Sequence, residues 1–498
     1  MRRTSRSLAA VLLAVCLATA GCAPDGANKV TISNVVGLTQ AAATSAIIAA
    51  GLAVGTVTQE FSATVAVDLV IAQSPAGGAS VSPGSVVALT VSRGPERAHV
   101  SNAVGLAQAA ASALIIGQGL TVGAVTQTCS PTVAAGMVIS QNPAAGLEAA
   151  PGSAVALTVS TGPCPPAIEM LPVAAGTFTM GRTAGGDDAA DGISWEDPRH
   201  EVTLGAYSIG KYCVTNRQYC DVLNWALGQG YLKNSTGAAW AGTGDIYAGG
   251  NLQLLMPLAS SDCNIQYTGT AFTPKTRAGL PGSTSHPMDQ HPVVFTTWYG
   301  AVAFCNWLSL WQGLTPCHDM TAANWPLTLG PPASGGYRLP TEAEWERAAA
   351  WDGSRHWIYG LTSDTLTSGN QANFHVDSPD AYINPLGLAT MPFTSPVGWF
   401  NGVNVSPNGA VNTFNCMSPA GAYDMSGNAG EWCGDWFLDA YYTGGAMTNP
   451  VGPAAGTFRA YRGGSWKDGF YNCRSARRNG RTPDSTSDNS GFRLARTP

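Results

Sequence analysis

Arg338-Leu339-Pro340-Thr341-Glu342-Ala343-Glu344-Trp345-Glu346 reads as the start of a buried helix. Thr341 and Glu344 have the spacing of a capping box, in which hydroxyl and carboxylate each satisfy a backbone N–H of the other residue. Trp345, Ala348 and Ala349 then fall on one inward face. Acidic residues in the first turn suit the positive end of the helix dipole. Glu342 and Glu344 are therefore read as structural carboxylates, not as a catalytic pair. Further on come Gly427-Asn428-Ala429-Gly430-Glu431-Trp432, then Arg462-Gly463-Gly464-Ser465-Trp466, then Gly491-Phe492-Arg493.

These four runs, in this order, resemble the formylglycine-generating enzyme (sulfatase-modifying factor) family over about Ala167 to Pro498. The resemblance implies a fold related to C-type lectins, with little regular secondary structure and much loop. The 59 Gly and 32 Pro agree with that. It also implies an oxidase that converts a sulfatase cysteine to formylglycine, with copper(I) between two cysteines. In the family these lie three and eight residues after the serine of the Gly-Gly-Ser motif. Here that serine is Ser465, position 468 is Asp468, and Cys473 is present. A carboxylate is a hard donor, poorly matched to Cu(I), so copper is not expected. The catalytic candidates reduce to Cys473 and Ser465, and Cys473 could instead be bonded to another cysteine.

The resemblance further implies a calcium site at Asp424, Gly427, Ala429 and Glu431, where two carboxylates and two carbonyls suit a hard cation. A second site could involve Asn373. Residues 459–498 hold nine Lys and Arg against three Asp. Trp466, Phe470, Tyr471, Arg477 and Arg481 are the expected ligand groove, with about half of the basic residues free for ligand. Arg493 is read as a loop brace. Residues from about Trp225 to Gln290 form a Gly-rich insertion whose role the sequence does not reveal.

Upstream, the chain repeats itself at a period of 68 without a gap. Val35-Val36-Gly37-Leu38 returns as Ala103-Val104-Gly105-Leu106, and Pro83-Gly84-Ser85 as Pro151-Gly152-Ser153. Each unit reads as a helix capped by a residue such as Thr39 and stopped by a glycine such as Gly51, followed by three short strands. Such a unit resembles the PASTA domain, a βαβββ module of bacterial cell-wall proteins, which implies association with peptidoglycan. The units have few charged side chains, which suits a neutral stalk.

Arg2, Arg3 and Arg6 precede an apolar run from Leu8 to Ala20, too short to span a bilayer and typical of an export signal. Its end, Leu17-Ala18-Thr19-Ala20-Gly21-Cys22, resembles a bacterial lipoprotein processing site, which implies a lipid on Cys22. The alternative is cleavage after Ala20 that leaves Cys22 free. Ten cysteines remain beyond these, an even number that can all pair in an exported protein.

The net charge is −6 and charged residues are 11% of the chain, which excludes a nucleic-acid binder held by overall charge. The expected organisation is α+β and multidomain: a signal at 1–21, PASTA-like repeats at 28–95 and 96–163, a linker at 164–166 and a formylglycine-generating-enzyme-like domain at 167–498. The expected function is an exported, lipid-anchored cell-envelope protein. Its head would bind an exported protein, peptide or glycan, the alternative being an oxidase with altered metal chemistry.

Overall fold

The computed structural model describes residues 28–279, 285–321, 335–366, 369–376, 381–407, 409, 411–443 and 445–498. The export signal and Cys22 lie outside them. The chain divides into two units at the Cys164–Pro165 bond. No helix among the described residues is long and apolar enough to cross a membrane.

The first unit contains two equivalent modules. In the first, Thr39 caps the helix Gln40–Ala49 by accepting from Ala42 N at 3.2 Å. In the second, Ala107 stands at the cap of Gln108–Gly117 and offers no side-chain bond. Ala53–Glu60 runs parallel to Val86–Ser92, which pairs antiparallel with Val70–Ser74. Thr121–Thr128, Ala154–Ser160 and Val138–Asn142 repeat that order. Each module closes its own core. Ala43, Ile47, Val70, Val87, Leu89 and Val91 are buried in the first, and Ala111, Ile115, Val138, Val155, Leu157 and Val159 in the second.

Among the differences between the two repeats, one changes a cross-link. Phe61 sits under the Arg93 guanidinium, 4.6 Å from the ring centre. One period on, Cys129 is bonded to Cys164. The even count of ten, which permits full pairing, gives one disulfide among the described residues. Cys213, Cys220, Cys263, Cys305, Cys416, Cys433 and Cys473 remain thiols.

Among the described residues, the second unit is built from short strands around four α-helices, one of them the short Gly186–Asp191. One sheet runs Met170–Val173, Tyr207–Gly210, Ala495–Arg496, Tyr337–Arg338, so the last strand lies between segments from the first and middle parts of this unit. Another runs Asn479–Arg481, Phe458–Arg462, Gly430–Phe437, Ser490–Gly491. Helix Glu342–Ala350 has the full capping box, with Glu344 N donating to Thr341 Oγ1 at 3.1 Å and Thr341 N to Glu344 Oε2 at 2.9 Å. Trp345, Ala348 and Ala349 are buried against Phe178, Val202 and Met425. Helices Asn216–Gly228 and Trp298–Trp311 pack in a second, larger core with Trp432 and Phe492.

Candidate functional site

Strand Phe458–Arg462 leads into Gly463 and Gly464, with φ of 91° and 62°. A Cβ on Gly464 would lie 2.7 Å from Cys473 Sγ, and one on Gly463 3.0 Å from the Trp345 ring. Both the left-handed turn and the close approach need glycine. The turn delivers Ser465 into the interior. Its hydroxyl is bonded to Asp468 Oδ2 and accepts from Asn489 Nδ2 at 2.9 Å. Asn489 Nδ2 also reaches Asp468 Oδ2 at 3.3 Å, while its Oδ1 accepts from Arg481 Nη1 at 3.1 Å and Ser487 Oγ at 2.6 Å. Arg481, Asn489, Ser465 and Asp468 thus form one polar chain. The sequence reading missed Asn489, and no motif marks it.

Cys473 is fully buried among Tyr359, Leu361, Phe374 and Phe400. Burial pushes its thiol well above the ordinary value, and the charge of Asp468 adds to that. The two positions of the cysteine pair are therefore a carboxylate already hydrogen-bonded and a thiol held protonated. They do not fit Cu(I), which prefers two soft thiolates. Cys473 is bonded to no other cysteine, contrary to one expectation.

Of the expected ligand groove, Trp466 is interior, Phe470, Arg477 and Arg481 are half-buried, and Tyr471 is exposed. Trp466 is 0% exposed, packed against Tyr382 and Phe393 with both ring centres 5.3 Å away. Arg477 is half-buried with Nη1 3.9 Å from Glu196 Oε1. Arg481 lies 4.1 Å over the Tyr461 ring, and Phe470 packs on the cluster around Cys473. Tyr471, 39% exposed, is the member most open to solvent.

Five of the nine basic residues of this segment are turned inward, and Lys467, Arg477, Arg481 and Arg496 keep some exposure. Arg459, Arg462, Arg474, Arg478 and Arg493 are all buried. Arg474 donates to Glu196 and Asp188 at 2.7 to 2.8 Å, and Arg478 forks onto Glu342 at 2.8 and 2.9 Å. Arg462 pairs with Glu346, whose carboxyl burial would raise, but Arg462, His356 and the Gly181 N–H hold it at about 2. Arg459 lies between two indoles, 3.6 Å from Trp298 and 3.5 Å from Trp436. The local excess of positive charge exists to neutralise acids from distant segments, because a charge leaves water only with a partner.

At the expected calcium loop, Asp424, Gly427 and Asn428 all have positive φ, at 58°, 87° and 64°. Arg493 forks onto Glu431 at 2.6 Å on both arms. Trp345 Nε1 donates to Glu431 Oε2 at 2.8 Å, and the Cys213 thiol to Oε1 at 3.3 Å. Asp424 Oδ2 accepts from Gly398 N at 2.7 Å. Burial raises the Asp424 carboxyl to about 6, and Glu431 adds to the rise. Arg493 bonds Glu431 and not Asp424, so the ionised Asp424 carboxylate has no ion-pair partner in the interior, and a cation would relieve its charge. Carboxylate and carbonyl oxygens suit calcium, but both Glu431 oxygens are already taken, each by Arg493 and by Trp345 or the Cys213 thiol, so Asp424 is the one carboxylate of the expected set not locked in an ion pair. Asn373, named for a second site, is buried with Nδ2 on Phe393 O at 2.8 Å and Oδ1 without a partner.

Comparison with known proteins gives matches for both units. Residues 157–498 match the family model described as sulfatase-modifying factor enzyme 1-like domain, and residues 30–93 and 98–161 match the PASTA domain. The chain is 30% identical over 343 residues to the formylglycine-generating enzyme of Thermomonospora curvata, covering 66% of this chain and 93% of that one. It is 29% identical over 335 residues to the inactive C-alpha-formylglycine-generating enzyme 2 of Mus musculus, covering 66% and 85%. Among solved structures, Treponema denticola variable protein 1 aligns with a TM-score of 0.39 and 23% identity over 66% of this chain and 95% of that one.

Proposed function

This chain belongs to the sulfatase-modifying factor enzyme 1-like family, and we propose that its head binds a ligand in place of oxidising a cysteine. The observation that carries this is Asp468. Its carboxylate stands where the family's first copper cysteine falls and is committed to Ser465 and Asn489. The reading places Ser465 as a positioning residue for Asp468, with Tyr471 and Lys467 at the solvent edge, where Lys467 Nζ is 3.2 Å from Asp488. The ligand class is an exported protein, peptide or glycan.

The rest of the chain serves that head. Two PASTA domains form a peptidoglycan-associated stalk outside the cell. A lipid on Cys22 anchors it to the membrane. The Cys129–Cys164 bond supports export, since disulfides persist in oxidising compartments. Calcium at Asp424, Gly427, Ala429 and Glu431 would act as a structural ion, fixing the loop that leads into strand Gly430–Phe437.

A competing reading is favoured by the family relatives named formylglycine-generating enzyme: oxidation of a cysteine in an exported protein. One experiment separates the two. Copper-loaded protein is incubated under oxygen with a peptide containing Cys-x-Pro-x-Arg, and the cysteine is followed by mass spectrometry. No conversion by the native chain, together with Cu(I) binding gained by Asp468→Cys, is the expected result. Conversion by the native chain overturns the binding reading. For calcium, a chelator is expected to lower the melting temperature of the native head and to leave Asp424→Ala unchanged; a native curve that the chelator does not move refutes the ion.

A further inference from the structure

The insertion between the helices Asn216–Gly228 and Trp298–Trp311 folds as short hairpins, and one of them walls a cleft of about 340 Å³. Gly242, Thr243, Gly244, Gln266, Tyr267 and Lys275 line it. Gly242 and Gly244 have φ of 92° and 78°. The loop between them is held from both sides. Trp240 Nε1 donates to Gly244 O at 3.2 Å, and a Cβ on Gly242 would sit 3.1 Å from the Tyr267 ring. Trp240 in turn packs on Tyr267 and Phe272, each with ring centres 5.0 Å away. The loop is therefore set before any ligand arrives, which lowers the ordering cost of binding.

Among the described residues, the backbone N–H groups of Gly242, Thr243 and Gly244 donate to no protein acceptor. The Lys275 ammonium has no ion pair or hydrogen bond there, although the residue is half-buried. Its backbone is fixed by Lys275 N on Asn264 O at 2.7 Å and by Met288 N on Lys275 O at 3.1 Å. Lys275 lines the same cleft as these three N–H donors, and an unpaired ammonium together with free backbone donors is the chemistry that holds an anion. Asp245 follows the loop directly, with Oδ1 accepting from Ala259 N at 3.4 Å. One lysine against one nearby aspartate suits a singly charged carboxylate better than a doubly charged phosphate.

We propose that this cleft binds a carboxylate-bearing ligand the size of one sugar or one amino acid, with Lys275 and the Gly242–Gly244 loop on the carboxylate and Tyr267 beneath the body. The site draws no residue from the Ser465 network, so it stands whether or not the head oxidises cysteine. The test titrates full-length protein with glucuronate, N-acetylalanine, glucose and glucose 6-phosphate, read by tryptophan fluorescence and calorimetry. Saturable binding of a carboxylate is expected, with no saturation by glucose. Tighter binding of glucuronate assigns a sugar acid, and of N-acetylalanine a peptide carboxylate. Lys275→Met is expected to lose about tenfold in affinity, the scale of one hydrogen bond to a charged group, and Lys275→Arg to keep most of it. Absence of saturation by either carboxylate, equal binding by Lys275→Met, or tighter binding of the phosphate overturns the site.

Discussion

Asp435 shows how far the interior of this head departs from water. Its Oδ2 accepts from Glu342 N at 2.8 Å, while Oδ1 is buried without a partner. Burial first, and then the charge of Glu342, raise its carboxyl from 3.8 to about 8. Below about pH 4 both the folded and unfolded states hold the proton; between there and about 8 only the folded state does. Stability from this group therefore falls as pH rises through that window and is least above it. Asp435→Asn keeps the acceptor for Glu342 N and removes the charge. It should raise the melting temperature by about 2 °C or more at pH 8.5 and by less at pH 5. Arg493 gives the opposite case. Arg493→Met leaves Glu431 buried without its fork, and should cost about 3–5 kcal/mol in denaturant unfolding.

Helix Glu342–Ala350 was legible because its signals are local. Thr341, Glu344 and the alanine face are adjacent in sequence, and each acts on a neighbour. Thr341→Ala should cost about 1 kcal/mol by removing the cap. Glu344→Ala should cost more, since Glu344 also holds Arg338 through bonds of 2.6 and 2.7 Å; urea midpoints compare the two directly. The repeats were legible for a similar reason, because Gly37, Gly51 and Gly84 recur at Gly105, Gly119 and Gly152 with the same positive φ. The site was legible only in part. Asp468 and Cys473 could be placed by spacing from Ser465. That Trp466 is interior depends on Tyr382 and Phe393, more than seventy residues away, and that Asp188, Glu196, Glu342 and Glu346 absorb the arginines of residues 459–498 depends on segments more than a hundred residues apart. Charge composition registered both groups but not their pairing.

At the scale of the whole molecule, separate cores predict separate transitions. The disulfide spans a sequence separation of 35 within the first unit, so breaking it restores chain entropy of about 3–4 kcal/mol to that unit's unfolded state. A Cys129→Ser/Cys164→Ser double variant should lower one calorimetric transition and leave that of the head in place. A single transition that shifts as a whole would refute the independence of the two units.

The inward-facing arginines have a consequence for how the molecule presents itself to a charged matrix. Folded, the head carries many of its ions as internal struts, and an exchange resin senses only the sparse charges that remain outside. Retention on a cation exchanger should then be weak, while the net charge of −6 holds the protein on an anion exchanger until salt screens it. Unfolding releases guanidinium and carboxylate groups together, so the denatured chain should migrate and elute as a markedly more ionic polymer than its native form, at an unchanged composition.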